Sequence, residues 1–335
     1  MTSLETRWAY SLGGRIQRSR PVLGEAHVFV DSLDSELYAL SRADGSVAWT
    51  HERDGALSDS APAYRDGVVY VGSGGGSVHA LDATTGSELW ADRDDSAIVA
   101  APAVQDGVVY AGRTNGTVSA VSTDDTARLW NRRLDSPIHA DLAVSPAAEL
   151  VYATTSTGGV YALDATSGDV VWSHQFSAAV TTSAPVVDDE TGRVFIAASE
   201  VLALTADTGT PVWTTDFYGT SAGAAPVVDD GSIYAGSGDG TVYALSDAVD
   251  GGMIRTAPTW SVKQWSTVVA TPLLLEEFLV VGSTDGTLSL FDCETGNRVA
   301  THTLSEEIRG LAGTTADEIY VSRWDGTVVS LSFHE

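Results

Sequence analysis

A single cysteine, Cys293, stands in a chain of 335 residues, which rules out an intramolecular disulfide and any metal centre built from cysteines. Lysine is as scarce: Lys263 is the one lysine, and the remaining basic residues are all arginine. Against 18 basic residues stand 45 acidic ones, a formal charge of −27. The basic footprint that a phosphate-backbone binder needs is missing, so nucleic acid is excluded as a partner. No apolar run reaches the roughly 18 residues of a membrane helix. Residues 1–30 show no basic start followed by an apolar stretch, as an export signal would. The chain as written is therefore expected in the cytoplasm, without membrane insertion, and outside it if a leader has been cut away. The acids are spread over turns rather than gathered in a tail, as on a salt-adapted surface. Self-repulsion at this charge acts in dilute buffer, whereas molar salt shortens the screening length to roughly 3 Å.

What the chain does hold is one phrase repeated eight times. Its fullest copy, residues 67–90, reads GVVYVGSGGGSVHALDATTGSELW. Tryptophan closes the copies at Trp8, Trp49, Trp90, Trp130, Trp172, Trp213 and Trp260, and Ala300 holds the eighth position. The intervals are about 41 residues, lengthening to about 47 before Trp260. Apolar residues alternate with small or polar ones, and β-branched and aromatic residues dominate, so each short run is a strand. In the second unit the strands, A to D, are predicted at 61–64, 68–73, 77–82 and 87–92. The turns between them carry Asp66-Gly67, Gly74-Gly75-Gly76 and Thr85-Gly86, where glycine supplies the positive φ and Asp or Thr caps backbone amides. A period in the forties with four strands per unit predicts an all-β fold, an eight-bladed β-propeller that takes in residues 1–335 as a single domain. A strand-A marker gives the same count at Pro21, Pro62, Pro102, Leu142, Pro185, Pro226, Pro272 and Leu311. The chain ends on a strand C, Thr327 to Leu331, and begins on a strand D, Arg7 to Tyr10. The N-terminal strand is thus predicted to close the last blade, pairing edges that would otherwise be open.

The pattern Ala-Leu-Asp-x-x-Thr-Gly-x-x-x-Trp, at 80–90 and with serine for the threonine at 162–172, resembles the tryptophan-docking repeat of PQQ-type (quinoprotein) β-propellers. The resemblance covers nearly the whole chain and implies that each tryptophan stacks on the neighbouring blade as a structural fastener. Propellers of this kind include dehydrogenases and assembly scaffolds, so the repeat speaks for fold rather than activity. The dehydrogenases are much longer, and their alcohol-oxidising branch sets an adjacent cysteine pair against the quinone and holds calcium with Glu, Asn and Asp. Cys293 has no such neighbour, and no motif here aligns with that calcium set. In size and lack of insertions the chain is most similar to the scaffold branch, the non-enzymatic BamB-type assembly lipoproteins. The salt-adapted composition suggests a haloarchaeal setting.

In propellers the D–A connections and B–C turns gather on one face, so ligand groups are sought there. Residues just before each strand-A marker nominate Arg18 and Arg20 in blade 1, Asp59 in blade 2, His139 and Asp141 in blade 4, and Arg309 in blade 8. Blades 1 and 8 are neighbours in a closed propeller, which brings the three arginines to one side of the axis. Guanidinium forks suit a small acidic ligand or an acidic peptide tail. The plainer reading is that they pair with nearby acids. His139 and Asp141, two apart on a strand, share a face without any guarantee of contact. The seven histidines show no metal-ligand spacing such as HxH or HExxH, and the Ser-Gly-Asp-Gly-like turns lack a calcium loop's ligand series. No metal site is expected.

Two features break the repeat. The C–D connection of blade 6, from Ser246 to Thr259, is the longest, and Trp265, Arg323 and Trp324 stand where most blades have small residues. Exposed Trp and Arg are common anchors of protein interfaces; the alternative is that each indole covers a neighbouring loop. The expected function is a non-catalytic platform that binds another protein, acting as a monomer and without a cofactor. A PQQ-dependent dehydrogenase-like enzyme with calcium, or a small-anion-binding sensor domain using the axial channel, is the alternative.

Overall fold

The computed structural model describes residues 3–55, 60–176, 183–216, 223–247, 254–315 and 318–334. They form strands and turns and no helix, and the strands make eight sheets, each with four antiparallel strands in A-B-C-D order and one of them with a fifth strand added at its edge. The fold is the eight-bladed β-propeller expected from the repeat. Two compact units share the blades: Met1–Pro102 with Val269–Glu335 holds blades 1, 2, 7 and 8, and Ala103–Val268 holds blades 3 to 6.

Blade 2 shows how the repeat builds a sheet. Its strands are Ala63–Arg65, Val68–Gly72, Val78–Asp82 and Glu88–Asp92. Strand A starts later than the alternation suggests because Pro62 has no N–H to give to the ladder. Asp66 and Gly67 both take positive φ, 49° and 80°, the two-residue hairpin that matches strand twist. The B–C turns differ: in Asp239-Gly240, Asp285-Gly286 and Asp325-Gly326 only the glycine is at positive φ. There the aspartate Oδ1 accepts the N–H of the threonine two residues on, Thr241, Thr287 or Thr327.

In blades 1 to 5 and 8 the outer strand carries a bulge one residue before its tryptophan, and in blade 7 one residue before Ala300. In blade 2 the register slips between Ala80 and Leu81, which leaves Leu89 outside the ladder and exposed; Leu129 and Val171 repeat this in blades 3 and 4. The extra residue twists the strand and sends Trp toward the next blade. Within the first unit Trp49 donates its Nε1–H to Ala83 O at 3.1 Å, and a Cβ on Gly86 would lie 2.6 Å from its ring. Within the second, Trp130 and Trp172 donate to Ala165 O and Ala206 O at 2.9 Å. On its inner side each ring meets the strand-B aromatic of its own blade, as in Trp172 with Tyr152 at 5.8 Å. Blade 7 has Ala300 instead, and there Leu4 and Phe333 join the alanine in one apolar cluster.

Blade 8 is built from both ends of the sequence. Ser3–Ser11 pairs antiparallel with Thr327–His334, running from Ser3 opposite His334 to Ser11 opposite Thr327. The long C–D connection of blade 6 adds a feature that the period does not foretell. Ile254–Arg255 runs parallel to strand D of blade 5, Pro211–Asp216, as a fifth strand. Thr256 N–H donates to Thr214 O at 3.0 Å and Thr215 Oγ1–H to Thr256 O at 2.9 Å. Trp213, fully buried, donates to Asp247 Oδ1 at 2.6 Å. The outer edge of that sheet is thereby covered. Met253 lies outside the described residues.

Candidate functional site

In the first unit the D–A connections are fastened by backbone bonds to the B–C turns beside them. Leu12 N–H donates to Gly326 O at 2.9 Å, Leu33 N–H to Arg15 O at 2.9 Å and Gly75 N–H to Asp54 O at 3.0 Å. An ion pair with both side chains fully buried, Arg53 Nη2 with Asp31 Oδ1, runs beneath, and Arg53 Nη1–H also donates to Gly72 O at 2.9 Å. It ties blade 1 to blade 2 below the turn surface. Sequence pattern missed this pair because a lone Arg in a D–A connection reads as a surface residue.

Above this frame the strand-A entries of blades 1 and 8 meet. A Cβ on Gly310 would lie 2.5 Å from Arg20 Cα, and Ser322 Oγ–H donates to Ser19 O at 3.0 Å. Ser19 is buried, whereas Arg18 and Arg20 on either side are exposed. Arg309, next to Gly310, is committed to other partners. Its Nη2 pairs with Glu307 Oε2 at 2.9 Å, and its guanidinium carbon sits 4.4 Å from the Trp324 ring centroid. Arg15 approaches the same ring at 5.7 Å, and Arg323 pairs with Asp325. Trp324 is half-buried as a platform for cations of its own chain. The structure thus sets Arg20, in the connection before strand Val22–Leu23, beside the strand Ile308–Thr315 that carries Arg309, and it occupies Arg323 and Trp324 with partners of their own chain. Asp59 lies outside the described residues.

In the second unit His139 and Asp141 are half-buried on either side of buried Ala140, and they lie in the connection that precedes strand Ala143–Ser145 rather than on a strand. Trp265 stands apart from every other tryptophan. It is 84% exposed and sits at a φ of 70°, a left-handed conformation that is uncommon for a bulky side chain. Its neighbours pin it there: Gln264 N–H donates to Gly240 O at 2.6 Å and Thr267 Oγ1–H to Gly238 O at 2.9 Å.

Among the described residues one group of three metal-ligating side chains is close enough to share an ion: His51, His79 and Glu88, whose donor atoms all lie within 4.8 Å of one another. His51 comes from strand D of blade 1, Val47–Glu52, and His79 and Glu88 from strands C and D of blade 2. His79 Nδ1 is 2.8 Å from Glu88 Oε2 and its Nε2 is 3.0 Å from Asp54 Oδ1. His51 Nε2 is 3.8 Å from Glu88 Oε2. Burial, and then the charge of His79, push His51 below the usual imidazole range. Burial raises Asp54, but hydrogen bonds from Ser73, His79 and Ser77 outweigh it and bring the carboxyl down to about 2. Spacing could not have found this group, since His51 and His79 belong to different repeats.

The family profile of outer membrane protein assembly factor BamB matches residues 3–65, 54–246 and 197–334. The chain belongs to that family. No curated protein sequence matches it. Among solved structures it is similar to BamB from Moraxella catarrhalis, at 17% identity and a TM-score of 0.81 over 99% of this chain and 100% of that one. It is similar to the computationally designed Ika8 protein at 19% identity and a TM-score of 0.82, over 98% and 99% of the two chains. The quinohemoprotein alcohol dehydrogenase from Comamonas testosteroni matches at 14% identity and a TM-score of 0.78, over 98% of this chain and 76% of that one. A designed protein and a dehydrogenase on one fold show how little the fold says about chemistry.

Proposed function

We propose that this chain is a non-catalytic platform that binds another protein, with Trp265 as the anchor of the contact. The observation that carries the reading is that indole: 84% exposed, on a backbone held at positive φ by the turns around it. Holding a bulky residue in the left-handed region costs about 1–2 kcal/mol, a cost that burial hardly offsets for a side chain left 84% exposed. An exposed, rigidly mounted tryptophan buries a large area in a partner's pocket at little loss of side-chain freedom. The family's description as an outer membrane protein assembly factor supports a partner that is a polypeptide within an assembly.

A quinone enzyme has less support. The nitrogen-rich group at His51, His79 and Glu88 does not fit the all-oxygen shell that calcium takes, and Cys293 cannot form an adjacent pair. The anion reading loses Arg309 to Glu307 and Trp324. The test is a photo-crosslinking residue placed at position 265 in the native host. A discrete adduct with one protein, absent when the probe is moved to exposed Leu89, is expected. No adduct at 265, together with a melting shift on adding PQQ and calcium, would replace this reading by the enzymatic one.

A further inference from the structure

His51, His79 and Glu88 form a second site, unrelated to Trp265 and lying wholly in the first unit. The three side chains come from three strands of two blades, so only the folded protein assembles them. His79 is buried, His51 half-buried, and Glu88 opens to solvent. His79 is held from behind: its Nε2 faces Asp54 Oδ1 at 3.0 Å, and Asp54 Oδ2 in turn accepts a hydrogen bond from Ser77 Oγ at 2.8 Å. With Nε2–H donating to that carboxylate, the Nδ1 lone pair is directed at Glu88 Oε2, 2.8 Å away. Two electron-pair donors in contact require a positive charge between them, a proton or a metal ion. His51 decides between the two. Its Nε2 is buried without a hydrogen-bond partner and stands 3.8 Å from the same carboxylate oxygen. A shared proton on His79 leaves that nitrogen unsatisfied, whereas a metal ion satisfies all three donors.

We propose that His51, His79 and Glu88 bind one divalent transition-metal ion of the zinc class, with Asp54 orienting His79 from behind. Two imidazoles and a carboxylate, with a fourth position open to water, are the ligand types and number that zinc takes outside closed structural sites. A tetrahedral ion with bonds of about 2.0–2.1 Å sets its ligands roughly 3.3 Å apart. The observed 2.8 and 3.8 Å separations straddle that value, so small side-chain rotations complete the shell. The carboxylate behind a ligating histidine is the usual supporting contact. Oxygen-only ions such as magnesium and calcium are disfavoured by the same donor set. The ion would join the outer strand of blade 1 to blade 2.

The test uses the full tag-free chain, stripped with chelator and titrated with Zn²⁺ by calorimetry and with Co²⁺ by visible absorption. One equivalent per chain is expected, with a cobalt spectrum of the intense tetrahedral type and a higher melting temperature in zinc. His51→Gln should remove stoichiometric binding. Asp54→Asn should weaken it about 10- to 100-fold while keeping the stoichiometry. His302→Gln, on another strand, should leave it unchanged. Melting of the metal-free variants checks that each is folded. Absence of stoichiometric binding by the parent chain, or equal binding by His51→Gln, overturns the assignment and leaves His79 as an imidazolium between two carboxylates.

Discussion

At the scale of single residues, the buried charges set the sharpest expectations. Asp31 and Arg53 are fully buried against each other, so Asp31→Asn leaves a guanidinium without its counter-charge. Such a loss costs about 3–5 kcal/mol. Denaturant melts should show that drop, while joint replacement of both residues by apolar ones of similar volume should restore most of it. A second pair, Glu318 with Arg42, reports on pH. The hydrogen bond from Arg42 leads the causes that hold Glu318 at about 2, against an ordinary 4.5, with Tyr320 adding a further bond. A depressed carboxyl contributes stability above its unfolded value and loses it as pH falls through the folded one. The contribution is therefore whole above about pH 4.5 and gone near pH 2. Glu318→Gln should lower the neutral-pH melting temperature and flatten the acid limb between those values.

At the scale of elements, the strand Ser3–Ser11 carries Trp8 and Leu4, both buried, and supplies the outer edge of blade 8. Deleting residues 1–12 should therefore lower the melting temperature far more than terminal truncations usually do, and should expose the Thr327–His334 edge to aggregation. Light scattering and a thermal melt of the truncated chain check both. These elements also show where sequence reasoning reaches and where it stops. The four strands of each blade, the tryptophan fastening and the N-terminal strand in blade 8 were legible, because repetition at fixed spacing writes each feature several times. Ile254–Arg255 was not, since a two-residue parallel pairing to another blade leaves no periodic trace. The histidine group was invisible for a related reason: His51 meets His79 and Glu88 only through the stacking of one blade on another. Trp265 was legible as an exception to the repeat. Its exposure and its backbone twist needed coordinates.

At the scale of the whole molecule, the charge of −27 acts on every blade. We propose that salt stabilises the chain by screening this self-repulsion. The melting temperature should rise from dilute buffer to molar KCl; a flat or falling curve would count against a salt-adapted surface. The pairing of Ser3–Ser11 with Thr327–His334 bears on the order of events in synthesis. Ser3–Ser11 is synthesised more than 300 residues before its ladder partner Thr327–His334, an interval on the order of tens of seconds at about 5–20 residues per second. Every other blade draws its four A-to-D strands from one contiguous stretch, and only blade 5 waits for a further strand, Ile254–Arg255, from the connection in blade 6. Blade 8 is consequently the final step of maturation. A bulky fusion at the N-terminus would burden the very segment that must find its place after all the others have settled.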